Sequence, residues 1–363
     1  MEQKIWYDAL KTERGPYMKK ILVRAYCQSN LGDDLFVLHL AKKYPKVRFF
    51  LYAVGENQKP FQGAVNVRLP NNWDRIRRKG NHLMHRQDLF DGRGMNASVT
   101  IGGSILWEGA PLDFVQPGQP SFLIGANCEK KYSPEFFHQL RAAIKKANGC
   151  CFRDSASYEK FSDLPNVSWA PDVLFDYETG LPAQEGSGIG ISVVSQKGVF
   201  QKDALRETYY EAIAQLCMRC IEQNVPVRIL SFCKSEGDEE AIAAILQKIP
   251  RREKIAVSTY RGNSRAFLGE MNTCKTIVAT RFHAMILGWV MGKNVVPIVY
   301  SSKQTQVLQD CDFRGPMWNA MEREEMTGET LFTFATEEKG RLDISSLKEK
   351  SRAQFKALDE YLK

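Results

Sequence analysis

The chain has 363 residues, 44% hydrophobic and 25% charged, with a formal net charge of +8. That length suits two domains better than one core, and no run approaches the ~20 unbroken apolar residues of a membrane-spanning helix. The opening MEQKIWYDALKTERGPYMKK is charged and lacks the apolar stretch of a secretory signal.

In chain order, 18–26 reads as a strand and 33–44 as the helix after it. Strand-like runs follow at 47–54, 65–69, 98–103, 121–128 and 149–152, with a helix at 134–148. Between them lies DRIRRKGNHLMHR (74–86), the densest positive cluster. It is either a solvated face or a surface for phosphates, diphosphates or acidic lipid headgroups. No nucleic-acid module accompanies the charge, which argues against a nucleic-acid partner. The Gly- and Pro-rich 176–188 reads as a linker, dividing 1–180 from 181–363.

The second half alternates strands at 189–194, 225–233, 254–260, 275–280 and 295–300 with helices at 203–223, 237–249, 263–271 and 282–292. A charged helix at 345–363 ends the chain. Alternating β and α with near-continuous apolar strands predicts an α/β fold: two doubly wound, Rossmann-like domains facing a cleft. Nine cysteines follow no framework, and Cys217 and Cys220 form a CxxC inside a helical pattern without a second pair. They read as reduced thiols of a cytoplasmic protein rather than a zinc site.

Strand 275–280 runs directly into TRFHAMILGWVMG (280–292), whose helix is apolar on nearly every face and therefore buried. Its polar start must open onto a cavity or find partners. Ligands of open α/β sheets bind at the carboxyl ends of strands, where Arg281 and His283 fall. Free helix N–H groups favour anions there. A guanidinium offers a planar fork for carboxylate or phosphate, and histidine exchanges protons near neutrality. The plain alternative is a structural salt bridge and a packed histidine. Strand 295–300 ends in Tyr300, Ser301, Ser302 and Lys303. If the two strands are neighbours, Arg281, His283, Tyr300 and Lys303 line one crevice suited to a small, highly anionic substrate.

The first half has matching strand ends. Asn30 and Gly32 suit a tight turn, and Asp33 can cap the following helix. Gly102, Gly103 and Ser104 let backbone approach a ligand. Arg153 ends another strand, with Asp154 or Ser155 as N-cap, or Asp154 simply paired with Arg153. Asp172 is structural or lines the cleft. No acidic spacing indicates a metal. Trp73 and Trp107 are either packing residues or platforms for a sugar face.

Taken together, Asn30-Leu31-Gly32-Asp33, Gly102-Gly103-Ser104, Phe152-Arg153-Asp154-Ser155, Ala170-Pro171-Asp172, Thr280-Arg281-Phe282-His283 and Tyr300-Ser301-Ser302-Lys303 resemble, in order, the motifs of the polysaccharide pyruvyl transferase family. The resemblance implies a fold like the GT-B glycosyltransferases, with the acceptor on the N-terminal domain. Phosphoenolpyruvate would be co-substrate on the C-terminal side, with no further cofactor. The product would be a pyruvate ketal on a sugar of a bacterial surface glycan such as an exopolysaccharide or capsule. It assigns Arg153, Arg281 and Lys303, with Tyr300 and Ser301, to the donor. His283 becomes the general acid, for the enol carbon or the departing phosphate. Asn30, Asp33, Gly102, Gly103, Ser104 and Asp172 go to the acceptor side of the cleft. The acceptor would be a lipid-linked oligosaccharide at the inner membrane face, its diphosphate held by 74–86. Two rivals share these features: a glycosyltransferase using a nucleotide-sugar, and a non-catalytic module that binds anionic glycans or scaffolds other enzymes.

Overall fold

A computed structural model describes residues 19–84, 86–195, 203–320 and 326–363. The charged leader before residue 18, and His85 of the basic cluster, lie outside the described residues. Two parallel sheets account for the architecture. The first has seven strands in the order β3-β2-β1-β4-β5-β6-β7: β1 Lys19–Arg24, β2 Val47–Leu51, β3 Val67–Arg68, β4 Ala97–Ile101, β5 Ser121–Ala126, β6 Gly149–Phe152 and β7 Val167–Trp169. The second has six, in the order β10-β9-β8-β11-β12-β13: β8 Ile189–Ser192, β9 Val227–Ser231, β10 Ala256–Thr259, β11 Thr276–Ala279, β12 Asn294–Val299 and β13 Trp318–Asn319. Strands such as β5 and β12 are buried along their whole length, as sheets covered on both faces require.

In each sheet the strand order reverses once, between β1 and β4 and between β8 and β11. Helix α1 (Leu31–Lys43) leaves β1 at the first reversal. Its N-cap is Asn30, whose side chain accepts from the Gly32 amide at 3.1 Å; the capping expected of Asp33 falls to Asn30, leaving Asp33 free to face the cleft. Helix α2 (Asn72–Leu83) follows β3, α3 (Pro134–Lys146) follows β5, and α4 (Ser155–Glu159) follows β6. In the second half, α5 (Asp203–Glu222), α6 (Asp238–Gln247), α7 (Ser264–Asn272), α8 (Phe282–Val290) and α9 (Ser302–Asp310) alternate with the strands, and α10 (Gly328–Thr336) packs beside α5.

Helix α8 explains its own oily sequence. Seven of its side chains or glycines, from Phe282 to Trp289, are buried. It lies between β11 and β12 on one side and the 3-10 turn Val173–Asp176 of the first half on the other. One apolar core therefore runs from Ile21 and Phe36 through Val173 and Phe175 to Met285 and Trp289. A Cβ on Gly288 would press on Val295 at 2.7 Å, so glycine lets the helix sit close to the sheet.

The C-terminal stretch is broken into α11 (Ser345–Ser351), a 3-10 turn at Arg352–Phe355 and α12 (Lys356–Leu362). Buried Gln354 donates to the carbonyls of Phe152 (3.0 Å) and Ala170 (2.7 Å) and accepts from the Gly125 amide at 3.0 Å. It thereby ties this stretch to the first sheet. None of the nine cysteines forms a disulfide. No helix among the described residues is long and apolar enough to cross a membrane.

Candidate active site

The carboxyl ends of both sheets face one cavity of about 180 Å³. Strand β11 pairs with β12, so Arg281, His283, Tyr300 and Lys303 do line one crevice. From the first half, Tyr26, Asn30, Asp33, Gly103, Ser104 and Arg153 close the same cavity. Residues expected on the donor and acceptor sides thus border the same cavity. Gly102, Asp172 and Ser301 stand behind that lining: Asp172 beneath Arg153, and Ser301 as N-cap position of α9 with its hydroxyl 3.2 Å from Gln304.

Arg153 is almost fully buried at the end of β6. It donates to Asp172 at 3.1 Å and to Asn127 at 2.6 Å, and its guanidinium lies 4.0 Å over the Phe282 ring. Its partner is therefore Asp172, not Asp154. Asp154 instead caps α4, accepting from the Ser157 amide at 2.8 Å. A Cβ on Gly103 would collide with the Arg153 guanidinium, which gives that glycine a steric reason.

Arg281 is held more tightly still. Its Nε donates to Asp238 at 3.1 Å, and its two terminal nitrogens reach Asp238 and Glu236. Asp238 is itself fixed by the amides of Phe232 (2.8 Å) and Cys233 (3.0 Å). Burial alone would lower the proton affinity of Arg281, but Asp238 and Glu236 reverse this and raise it. Both halves of the opening alternative hold together: Arg281 is a structural salt bridge and also a wall of the cavity. Glu236 binds across the domains as well, accepting from Asn30 at 3.0 Å. Strand-end reasoning overlooked the pair although SEGDEE follows β9 as Arg281 follows β11.

Lys303 is different. Its only hydrogen bond among the described residues goes to the Ser104 hydroxyl, at 3.2 Å. Ser104 passes its own proton to Asn127 at 3.2 Å, linking Lys303 to the Arg153 cluster. Burial first, then the nearby Arg153, lowers the Lys303 pKa to about 8.

His283 sits between Phe36 and Phe282, ring centroids 5.1 and 5.2 Å away, edge-on to both. A Cβ on Gly32 would overlap the imidazole, so the glycine of the NLGD motif makes room for it. The nearest carboxylate oxygen, of Asp172, is 4.0 Å from Nε2, and that nitrogen has no hydrogen-bond partner among the described residues. Burial, reinforced by Arg153, Lys303 and Arg281, pushes its pKa well below the ordinary value and favours the neutral imidazole. Arg153 Nε is likewise buried and unpaired.

Asp33 completes the set. Burial first and Glu236 second raise its pKa to about 7, against the opposing pull of Arg153 and Lys303. Asp172, Glu236 and Asp238 are all engaged with arginines; Asp33 makes no ion pair among the described residues. No group of three or more His, Cys, Asp or Glu side chains among the described residues is placed to hold a metal ion.

Residues 74–83 of the basic cluster lie in α2. Arg77 bonds Asp88 at 3.1 Å and Arg78 bonds Asp91 at 2.7 Å, so two of its arginines are spent within the fold. Trp73 and Trp107 are exposed rather than packed.

The family profile for polysaccharide pyruvyl transferases matches residues 30–302. No curated protein sequence matches. Among solved structures, HepE of Anabaena, in complex with UDP and glucose, aligns with a TM-score of 0.55 at 11% identity, covering 95% of this chain and 99% of that one. S. aureus MnaA with UDP gives 0.62 at 9% identity over 95% and 97%. Arabidopsis thaliana UGT89C1 gives 0.54 at 13% over 94% and 98%. These likenesses establish the GT-B type of two-domain fold. With the strand-end motifs in place and the profile spanning both sheets, the chain belongs to the polysaccharide pyruvyl transferase family.

Proposed function

We propose that this transferase moves the pyruvyl group of phosphoenolpyruvate onto two hydroxyls of one sugar in a bacterial surface glycan, with a lipid-linked oligosaccharide at the inner membrane face as acceptor. The observation that carries this reading is the convergence of Arg153, Arg281, Lys303 and His283 on one cavity. Phosphoenolpyruvate packs a carboxylate and a phosphate onto three carbons and calls for such a concentration of cations. Lys303 is the cation free to take the phosphate, its one hydrogen bond among the described residues going to the Ser104 hydroxyl. Arg281, clamped by Asp238 and Glu236, contributes field rather than a mobile fork. Arginine and lysine offset the phosphate charge, so the reaction as proposed uses no cofactor beyond the co-substrate.

Before the donor arrives, burial first and the nearby cations second favour the neutral form of His283. An arriving trianion offsets those cations and raises the imidazole's proton affinity, so histidine gains its proton together with the donor. Protonation of the methylene carbon then makes C2 oxocarbenium-like. A sugar hydroxyl attacks C2 and gives up its proton to Asp33, whose pKa of about 7 suits a base at neutral pH. The C2–O bond to phosphate breaks, and a second hydroxyl closes the ketal. The proton on the new methyl group is the one His283 carried, the first hydroxyl's proton rests on Asp33 and the second hydroxyl's goes to the departing phosphate; exchange with solvent resets Asp33 and His283. Correctly placed proton transfer is typically worth ~10²- to 10⁴-fold in rate, and fixed cations at the leaving phosphate add to it.

A nucleotide-sugar glycosyltransferase is the second reading, favoured by the likeness of the fold to structures solved with UDP. Thermal unfolding separates the two. Phosphoenolpyruvate should raise the melting temperature and UDP-sugars should not. Stabilisation by UDP-sugars alone would reverse the assignment.

A further inference from the structure

Helix α2 is inside out. Its face toward the first sheet is polar: Asp74 closes a capping box with Asn71 and pairs with Arg68, Asn81 donates to Asp88 at 3.0 Å, and Arg78 lies 4.1 Å over the Tyr52 ring. Its outer face is apolar. Trp73 is 76% exposed, Ile76 62%, Leu83 84%, and Met84 just beyond 56%. At 100° per residue these four and Gly80 share one stripe. A soluble helix of this amphipathicity normally turns such a stripe inward, and an exposed contiguous apolar patch marks a contact surface.

We propose that α2 is an interfacial anchor that lays this stripe into the surface of an anionic lipid bilayer. The choice of occupant comes from charge. Lys79 and, one row further round, Arg75 run along one edge of the stripe, are exposed, and have no acidic partner within ion-pair distance among the described residues. Cations beside an outward Trp and Leu fit the headgroup layer, with the apolar side chains reaching the acyl boundary. A second copy of the chain is a poorer match, because a two-fold contact through this stripe would bring the same cations face to face. The helix also leaves the carboxyl end of β3, the edge of the sheet on which Asn30 and Gly103 open the cavity. Docking there would turn the cavity's edge of the sheet toward the lipid surface. The inference deepens the proposed use of a lipid-linked acceptor, but its observations are those of α2 alone.

The test is co-sedimentation of the full chain with phosphatidylcholine vesicles, and with vesicles also containing phosphatidylglycerol, in the absence of any donor or sugar. The proposal expects binding to the anionic vesicles, weakened by salt, and little to the neutral ones. Ile76→Glu/Leu83→Glu should lower partitioning by about tenfold or more, and Arg75→Glu/Lys79→Glu several-fold. Both pairs are on the surface, so an unchanged melting temperature shows that folding is intact. Failure of the wild type to bind anionic vesicles overturns the proposal, as does equal binding by the Ile76→Glu/Leu83→Glu variant. A wild-type dimer that the same variant converts to monomer would assign the stripe to a copy-to-copy interface instead. Because no phosphoenolpyruvate is present, none of these results bears on the donor.

Discussion

The cavity and helix α2 both read, in sequence, as concentrations of positive charge, and the structure uses them in opposite ways. In the cavity, cations from opposite halves of the chain share one lining and are held there by carboxylates: Arg153 by buried Asp172, Arg281 by buried Asp238 and half-buried Glu236. On α2, Arg77 and Arg78 turn to Asp88 and Asp91 of the loop alongside, and the open side of the helix is apolar. Charge density alone does not locate an anion site. What locates it is where the counter-charges sit, and whether a cation or a buried donor is left without one.

The sharpest contrast lies within the cavity, between Arg281 and Lys303. Arg281→Met strips the counter-charge from fully buried Asp238 and should cost about 3–5 kcal/mol of stability, seen as a large drop in denaturant midpoint. Lys303→Met loses one hydrogen bond to Ser104 and should leave stability nearly unchanged, while KM for phosphoenolpyruvate rises by about tenfold or more. Equal effects of the two on stability would break the distinction between a structural and a ligand-binding cation.

The pH profile is the next largest effect. Asp33 is raised to about 7, so it is a carboxylate, able to accept a proton, above that value. Lys303 is lowered to about 8, so it is charged, able to hold phosphate, below that value. The free enzyme has both in working form only in the narrow interval between, and kcat/KM should fall on either side. Asp33→Asn should remove the acidic limb from the residual activity. A profile flat from pH 6 to 9 would contradict both assignments. The smallest effect is a proton count: phosphoenolpyruvate binding near neutral pH should be accompanied by proton uptake, read by calorimetry in buffers of different ionisation enthalpy, and His283→Gln should reduce it.

Much of the fold could be read from the chain because its central strands are buried on both faces, so β1, β4, β5, β11 and β12 stand out as apolar runs. The edge strands β7 and β13 could not. They are three and two residues long, too short for a period to register. Helix α9 contributes little apolar surface beyond Val307 and Leu308, and α2 hides because its inward face is polar. The strand-end rule brought Asn30, Asp33, Gly103, Ser104, Arg153, Arg281, His283, Tyr300 and Lys303 to one edge, where the structure puts them around one cavity. Partners were another matter. That Arg153 would choose Asp172 over adjacent Asp154, and that Asp238 and Glu236 would enclose Arg281, depend on how loops from different strands meet. Nothing local in the sequence encodes that meeting. Two glycines at the cavity have steric reasons, Gly32 beneath His283 and Gly103 beside Arg153; in sequence the first reads as a tight-turn residue and the second as room for a ligand rather than for a neighbouring side chain.

The most direct test of the central claim is phosphate release from phosphoenolpyruvate with a panel of lipid-linked and free galactosides, glucosides and N-acetylmannosamine-containing acceptors, wild type beside His283→Ala, with the acceptor's mass read afterwards. The account predicts acceptor-dependent phosphate release and a pyruvyl mass increment on the sugar, with both falling by ~10²- to 10⁴-fold in the variant. Pyruvylation that proceeds undiminished in His283→Ala would contradict the role of the histidine. An acceptor that gains a hexose from a nucleotide-sugar and nothing from phosphoenolpyruvate would contradict the reaction itself.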